Sequence, residues 1–373
     1  MRVALFIRSL DIGGAERQLV MLAKGLHARG VDVRVLTFYP GGALRPELEA
    51  AGIPVSDLDK RGRWDVLPFL WRLWRWLRRQ RPDVLYSWLP TANTIAAIVG
   101  RFAAVPRIVW GVRASNVDAA CYDWLHRVEQ GLASRLAQLA DSIVCNSEAG
   151  ARWHEAMGYP AKPMVVIENG IDTAYFHFSE AERLRLRREW GVGEEEVLIG
   201  LVARLDPMKD HETFLRAAAI LVKERNDIRF VCVGDGPDDY RARLHQLATD
   251  LDIAAHVVWA GPRNDLPAVY SALDIASSSS SFGEGFSNAI AEAMACERPC
   301  VVTDVGDSAR IVGKVGEVSP PRDPVALAGA ILKMLDRIGQ NADIGRQARA
   351  RIVEEFSVDR MVSRTMQVVY GTR

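Results

Sequence analysis

The stretch SSFGEGFSNAIAEAMACERPCVVTDVG, residues 280–306, runs from a glycine loop through a small-residue segment into a short β-branched run. Gly283 and Gly285 hold residues 282–286 as loop, Ser287 or Asn288 is placed to cap a helix, and residues 289–295 supply that helix. Residues 300–303, CVVT, read as a strand, and so do residues 275–277 before the loop. Strand, loop, helix and strand in this order make a βαβ unit, the building block of a parallel sheet covered by helices on both faces.

The same alternation extends through the chain. Residues 3–7, 32–37, 84–87, 107–112, 142–146 and 165–168 read as strands in a first series. Residues 197–202, 229–233, 257–260, 275–277 and 300–303 form a second. Between the two series lies ENGIDTAYFHFSEAERL, residues 168–184, where a strand ends at Asn169-Gly170 and a charged connector begins. The break at about 172–195 predicts two domains, as a chain of 373 residues suggests. Both series open with a strand, a loop and a helix. The expected fold is therefore α/β, with two Rossmann-like domains whose parallel sheets face a cleft: residues 1–172 and 173–355. After Pro324 only helical patterns follow, at 325–337, 342–356 and 358–370, and the last helix, within 356–373, is expected to pack back on the first domain.

Composition excludes several function classes. Hydrophobic residues make up 49% and charged residues 25%, ordinary for a chain with a large core. Lys+Arg and Asp+Glu number 47 each, so no global field favours nucleic acid. Residues 1–172 hold 22 basic and 17 acidic side chains, so the first half is the one expected to meet an anionic surface or acceptor. The cysteines at 121, 145, 232, 296 and 300 form no CxxC pair and read as buried thiols of a reducing compartment. No signal peptide or membrane-spanning run of about 20 apolar residues is present, which makes the cytoplasm the expected address.

In open parallel sheets, ligands bind beyond the carboxyl ends of the strands. After the first strand come Gly13 and Gly14, before a helix carrying Leu19, Leu22, Ala23 and Leu26. Glycines there let backbone amides approach an anion, but the pattern is not GxGxxG and argues against a dinucleotide dehydrogenase. After the first strand of the second series, ARLDPMKD sets Arg204 and Lys209 around Pro207, where an incoming diphosphate would sit. Gly234 and Gly236 form a tight turn that leaves space for a base, and Arg263 and Asn264 end the next strand as candidates for the same site. In the opening stretch, Glu284 lies in the glycine loop and Glu292 about one turn into the helix, flanking a helix N-terminus able to hold phosphate. Carboxylates are acceptor-only groups suited to paired hydroxyls. A ligand with hydroxyls on both sides of its phosphates has the layout of a nucleotide sugar.

EGFSNAIAE is similar to the Glu-x7-Glu signature of retaining glycosyltransferases of family 4, which have the GT-B fold. GGAER near the start, ENGID at the connector and ARLDPMKD resemble that family's other markers, in the expected order over essentially the whole chain. The resemblance implies that Arg204 and Lys209 bind the donor diphosphate, that Glu284 contacts the transferred sugar and that Glu292 contacts the ribose. It further implies that backbone groups of Gly285, Phe286, Ser287 and Asn288 hold sugar and phosphate, with Gly14 closing from the other domain. The implied reaction moves a hexose or N-acetylhexosamine, with retention, from a nucleoside diphosphate donor to a hydroxyl of a glycan or lipid-linked acceptor. UDP-sugar is favoured as donor over GDP-mannose. No cofactor or metal ion is needed in that scheme. A sugar-nucleotide epimerase would use the same donor clamps without an acceptor, and a non-catalytic sugar-nucleotide sensor would bind donor without turnover.

The chain departs from the family on the acceptor side. Many relatives carry a His in the first-domain loop after the fourth strand; here VWGVRASNVD offers Arg113, Ser115 and Asn116 instead. The Asp-x-Asp pairs Asp57/Asp59 and Asp250/Asp252 are too short a motif to make a metal site without further oxygen ligands.

Residues 63–81, RWDVLPFLWRLWRWLRRQR, hold four of the ten tryptophans. On a helical wheel Leu67, Leu70, Trp71, Trp74 and Leu77 share a face that Phe69, Leu73 and Trp76 widen, with Arg72, Arg75 and Arg79 opposite. The arc exceeds one sheet contact. It fits either a helix buried between two neighbours or one that rests on an anionic membrane surface.

Overall fold

A computed structural model describes residues 1–62, 64–113, 131 and 133–371. It divides into two compact units, one of Met1–Gly170 with Val358–Arg373, the other of Ile171–Ser357.

The first unit is built on a seven-stranded parallel sheet of β1 (Arg2–Ile7), β2 (Asp32–Thr37), β3 (Val55–Asp57), β4 (Val84–Trp88), β5 (Arg107–Val112), β6 (Ser142–Cys145) and β7 (Met164–Val166), in the order β3-β2-β1-β4-β5-β6-β7. The second is built on a six-stranded parallel sheet of β8 (Val197–Val202), β9 (Ile228–Val233), β10 (Val257–Gly261), β11 (Ile275–Ser278), β12 (Cys300–Thr303) and β13 (Glu317–Ser319), in the order β10-β9-β8-β11-β12-β13. Both orders reverse once, between β1 and β4 in the first sheet and between β8 and β11 in the second. Such a switch point opens a crevice at the carboxyl ends of the strands. Central strands such as β1 and β4 are buried along nearly their whole length, because helices cover both faces of the sheet.

Sequence reading missed β3 and β13. Each is a three-residue edge strand, VSD and EVS, with too few apolar residues to stand out from loop. In both sheets the edge strand pairs on one side only, so its polar residues are tolerated.

The last helix, Val358–Tyr370, buries Met361, Val362, Val368 and Val369 among Leu19, Leu22, Ala23 and Leu26 of the helix Gly14–Ala28. Two ties fix the chain leaving β7: the Gln18 amide donates to and accepts from the Gly170 backbone at 2.9 Å each way, and Arg364 pairs with buried Glu168.

The tryptophan-rich segment forms the helix Val66–Gln80, and the structure corrects the expected face. Phe69, Leu73 and Leu77 are buried against β-sheet residues such as Phe6, Leu36 and Leu85, with Leu70 and Trp76 partly covered. Leu67, Trp71 and Trp74 are 79%, 53% and 40% exposed, and Trp64 before the helix is 87% exposed. A sheet can cover only one stripe of a helix, so the broad apolar arc divides into a core half and an open half. Arg72 turns inward, donating to the Leu58 carbonyl at 2.7 Å and pairing with Asp65, whereas Arg75, Arg78 and Arg79 stay exposed. Among the described residues, no helix is long and apolar enough to cross a membrane.

Candidate functional site

In the second unit the switch point is formed by the segments that follow β8 and β11. The chain leaves β8 at Ala203 and makes a tight turn, Pro207–Lys209, before the helix His211–Glu224. Asp206 starts the turn by accepting from the Met208 amide at 2.9 Å, and Asp210, at φ 49°, starts the helix by accepting from the Thr213 amide at 3.1 Å. These local acceptors fix the direction of Lys209, which lies between them.

The segment after β11 is stitched to that turn. The Ser281 amide donates to the Met208 carbonyl at 2.9 Å, and the Ser279 hydroxyl lies 2.9 Å from the carbonyls of Lys209 and Asp210. Thr303, at the end of β12, donates to the Ser280 carbonyl at 2.6 Å. Lys209 thereby meets Glu284 in an ion pair, and Glu284, 6% exposed, also accepts from the Ser280 hydroxyl at 2.7 Å. Behind the loop, Gly306 sits at φ 63°, and a Cβ there would come within 2.4 Å of the Glu284 carbonyl oxygen. No other residue fits that approach.

Ser287 holds the N-cap position of the helix Asn288–Ala295, yet its side chain makes no capping hydrogen bond. Of the two capping candidates, Ser287 thus takes the N-cap position, at ψ 105° and nearly fully buried, without capping through its side chain. Phe286 is buried against Phe356, with ring centroids 5.4 Å apart, which anchors the helix start. One turn later Glu292 accepts from the Tyr270 hydroxyl at 2.9 Å. Burial first, and Glu292 second, push the Tyr270 phenol well above its ordinary range, so it remains a donor. A small cavity of about 20 Å³ reaches between these parts, lined among others by Lys209, Tyr270, Ser277, Ser287 and Ala289. The Ser277 hydroxyl is buried there without a partner.

The structure thus brings Lys209, Glu284, Ser287 and, through Tyr270, Glu292 to one switch point. Arg204 stands apart from them: its side chain is 68% exposed and pairs with Asp206 at 2.9 Å. Gly234, at φ 146°, lies where a Cβ would come within 2.0 Å of the Ala203 carbonyl, so that turn packs directly on the loop after β8. The Arg263 guanidinium is engaged by Asp265 at 2.8 Å and Glu189 at 2.6 Å, whose hydrogen bonds raise its pKa further. Asn264 beside it is exposed. Gly13 precedes the helix Gly14–Ala28 in the first unit, and Gly14, its first residue, is exposed. Arg113 lies at the end of β5; Ser115 and Asn116 lie outside the described residues. Asp57 is used inside the first unit, pairing with Arg45 at 2.6 Å and accepting from Thr37 at 2.8 Å. Among the described residues, no three His, Cys, Asp or Glu side chains gather as a metal-ligand group.

Sequence reading passed over Tyr270 and the serine run 277–281. The run carried a signal, since five consecutive serines across the end of a short strand are poor core residues. His211 is also new: it is fully buried, neither ring nitrogen has a partner, and burial, then the Lys209 charge, push its pKa down to about 4.

Two family models match the chain: one described as glycosyl transferases group 1 over residues 196–337, the other as glycosyltransferase family 4 over residues 12–175. A D-inositol 3-phosphate glycosyltransferase of Acidothermus cellulolyticus is 28% identical over 91% of this chain and 82% of its own length. A GDP-mannose-dependent α-(1-6)-phosphatidylinositol monomannoside mannosyltransferase of Mycolicibacterium smegmatis is 27% identical, with 78% of each chain covered. Among solved structures, Anabaena HepE in complex with UDP superposes with a TM-score of 0.88 at 25% identity, over 100% of both chains.

Proposed function

From the chain's membership of glycosyltransferase family 4, with its two Rossmann-like units of the GT-B type, we propose that it transfers a sugar with retention from a UDP-sugar to an acceptor hydroxyl. The observation that carries this reading is the Lys209–Glu284 ion pair at the switch point of the second sheet. It sets a cation for phosphate and a carboxylate for sugar hydroxyls side by side, next to the start of the helix Asn288–Ala295.

In the proposed step the bond from the anomeric carbon to the diphosphate oxygen breaks. A new bond forms on the same face to the acceptor oxygen, and the acceptor proton passes to the leaving diphosphate. Lys209 and the first amides of the helix Asn288–Ala295 neutralise the charge that builds on the diphosphate, usually the largest catalytic contribution. Arg204 joins them by releasing Asp206. Glu284 holds hydroxyls of the transferred sugar, and Glu292, aligned by Tyr270, holds the ribose.

UDP is favoured as the nucleotide because HepE has been captured with UDP and with UDP-glucose. GDP-mannose is the alternative, supported by the mannosyltransferase relative. The acceptor is a glycan or a lipid-linked molecule. For a lipid-linked acceptor the open half of the helix Val66–Gln80 serves as a docking face: Trp71 and Trp74 reach the interface while exposed Arg75, Arg78 and Arg79 meet anionic headgroups.

A panel of nucleoside diphosphate sugars, screened by thermal unfolding and followed by NMR of the products, tests the reading. Stabilisation by a UDP-sugar and an anomer of unchanged configuration in the product support it. Release of UDP with an epimerised free sugar favours an epimerase, and binding without turnover favours a sensor.

A further inference from the structure

At the carboxyl ends of β4, β5 and β6 the first unit holds a guanidinium that no carboxylate among the described residues neutralises. Arg113 follows β5, its Cζ stands 3.6 Å above the Trp88 ring centroid, and it donates to Asn169 Oδ1 at 2.8 Å. Its Nε is buried without a partner, and among the described residues it enters no ion pair. Glu168, one residue from Asn169, pairs with Arg364 instead. Among the described residues, the titratable groups facing Arg113 are Tyr86 and Cys145, both buried. Burial raises the Tyr86 phenol and pushes the Cys145 thiol up to about 12, so neither is an anion at neutral pH.

The surroundings are polar and incompletely satisfied. Trp88 Nε1 and Asn146 Oδ1 are also buried without partners, on the strand ends that flank Arg113. Leu89, directly after β4, adopts φ 76°, which side-chain-bearing residues rarely take; strain of this kind gathers at binding sites. β4 is one of the two strands at this sheet's switch point. A buried guanidinium stays protonated, and leaving it without counter-charge is costly. Arg113 is nevertheless partly accessible, so an outside group can reach it.

We propose that Arg113, with Asn169, Asn146 and Trp88 around it, is an anion subsite of the first unit that recognises a phosphate or carboxylate group on the acceptor. The assignment to an acceptor rests on the transferase reading above; the anion subsite itself does not. Two parallel hydrogen bonds from the guanidinium to one anionic group give the geometric selectivity that a lysine lacks.

The test uses the full chain with UDP present at saturation, so that the phosphate-binding groups of the second unit are occupied. Inorganic phosphate, glycerol 3-phosphate and glycerol are titrated and followed by thermal unfolding and calorimetry. Phosphate and glycerol 3-phosphate are expected to raise the melting temperature saturably and glycerol not to. Arg113→Met should weaken anion binding about tenfold or more while melting no lower than wild type without ligand, because it removes an uncompensated charge. Should Arg113→Met fail to fold, Arg113→Gln, which keeps a donor for Asn169, gives the same reading. Arg113-dependent sedimentation with phosphatidic acid vesicles assigns the anion to a lipid headgroup; Arg113-dependent binding of glycerol 3-phosphate alone assigns it to a water-soluble acceptor. If UDP fails to bind but the Arg113-dependent shift is present, the donor reading falls and this one stands. If UDP binds and the anion shift is absent, or survives both Arg113 variants, the subsite is refuted.

Discussion

Lys209 and Glu284 stand 75 positions apart in the chain, yet they form an ion pair in which Glu284 is almost wholly buried. The contact joins the loops after β8 and β11, so it ties the two sides of the switch point. It also sets the two groups at different risk. Removing Lys209 takes the ion-pair partner from a buried carboxylate, whereas removing exposed Arg204 leaves Asp206 in reach of water.

Lys209→Ala is therefore expected to lower kcat by about 10²–10³ and also to cost about 1–3 kcal/mol of stability. Arg204→Ala should lower kcat with little change in melting temperature. Steady-state kinetics and thermal unfolding of both variants check this. A folded Lys209→Ala protein with near wild-type turnover would rule out the diphosphate assignment.

The two glutamates should separate by ligand. Glu292→Ala is expected to weaken UDP and UDP-glucose alike, and Tyr270→Phe to do so more mildly, since its hydroxyl aligns Glu292. Glu284→Ala should leave UDP affinity nearly unchanged and weaken only the sugar-bearing ligand. Calorimetry with the two ligands decides, and equal losses for both in every variant would contradict the division of roles.

His211 predicts a pH dependence of stability. Its folded pKa of about 4 lies below the unfolded value near 6.5, because burial first and Lys209 second disfavour the imidazolium. The unfolded chain therefore binds more protons between these values. Stability is full above about pH 6.5 and falls by about 1.4 kcal/mol per unit as the pH drops towards 4, about 3 kcal/mol in all. Urea unfolding of wild type and His211→Met across pH 4–8 checks it. The variant should flatten this part of the profile, and parallel curves would show that His211 does not carry it.

The open face of the helix Val66–Gln80 predicts sedimentation with anionic vesicles at low salt, weaker at moderate salt and absent with neutral vesicles. Trp71→Ala with Trp74→Ala, or glutamate at Arg75, Arg78 and Arg79, should abolish it without unfolding, because none of these side chains is buried. Arg72 is a poor choice for this experiment, since it holds the Leu58–Asp65 segment. Protein that stays in the supernatant in every condition would leave this face without a membrane role.

Period and turn chemistry, both local, made most of the architecture legible in the sequence. Glycines at 283 and 285, the small-residue helix after them and the β-branched run at 300–303 already specify strand, loop, helix and strand. Repeated twice, that pattern implies two parallel sheets, and a parallel sheet implies ligands at its carboxyl edge. The edge strands β3 and β13 escaped because three residues paired on one side need no apolar run.

What each charged side chain is spent on was decided only by tertiary structure. Arg263 and Arg204 look alike as cations after strands, but folding brings Glu189 and Asp265 to the first and leaves the second exposed with Asp206. The tryptophan helix shows one broad apolar arc in sequence, and only its seat on the sheet separates Phe69, Leu73 and Leu77 in the core from Trp71 and Trp74 at the surface. Arg113 follows the same rule: its residue type was visible, while its place over Trp88 and beside Asn169 was not. Burial and pairing depend on which strand ends meet across long stretches of chain, and electrostatic interactions act through that geometry, whereas periodicity acts through neighbours a few residues apart.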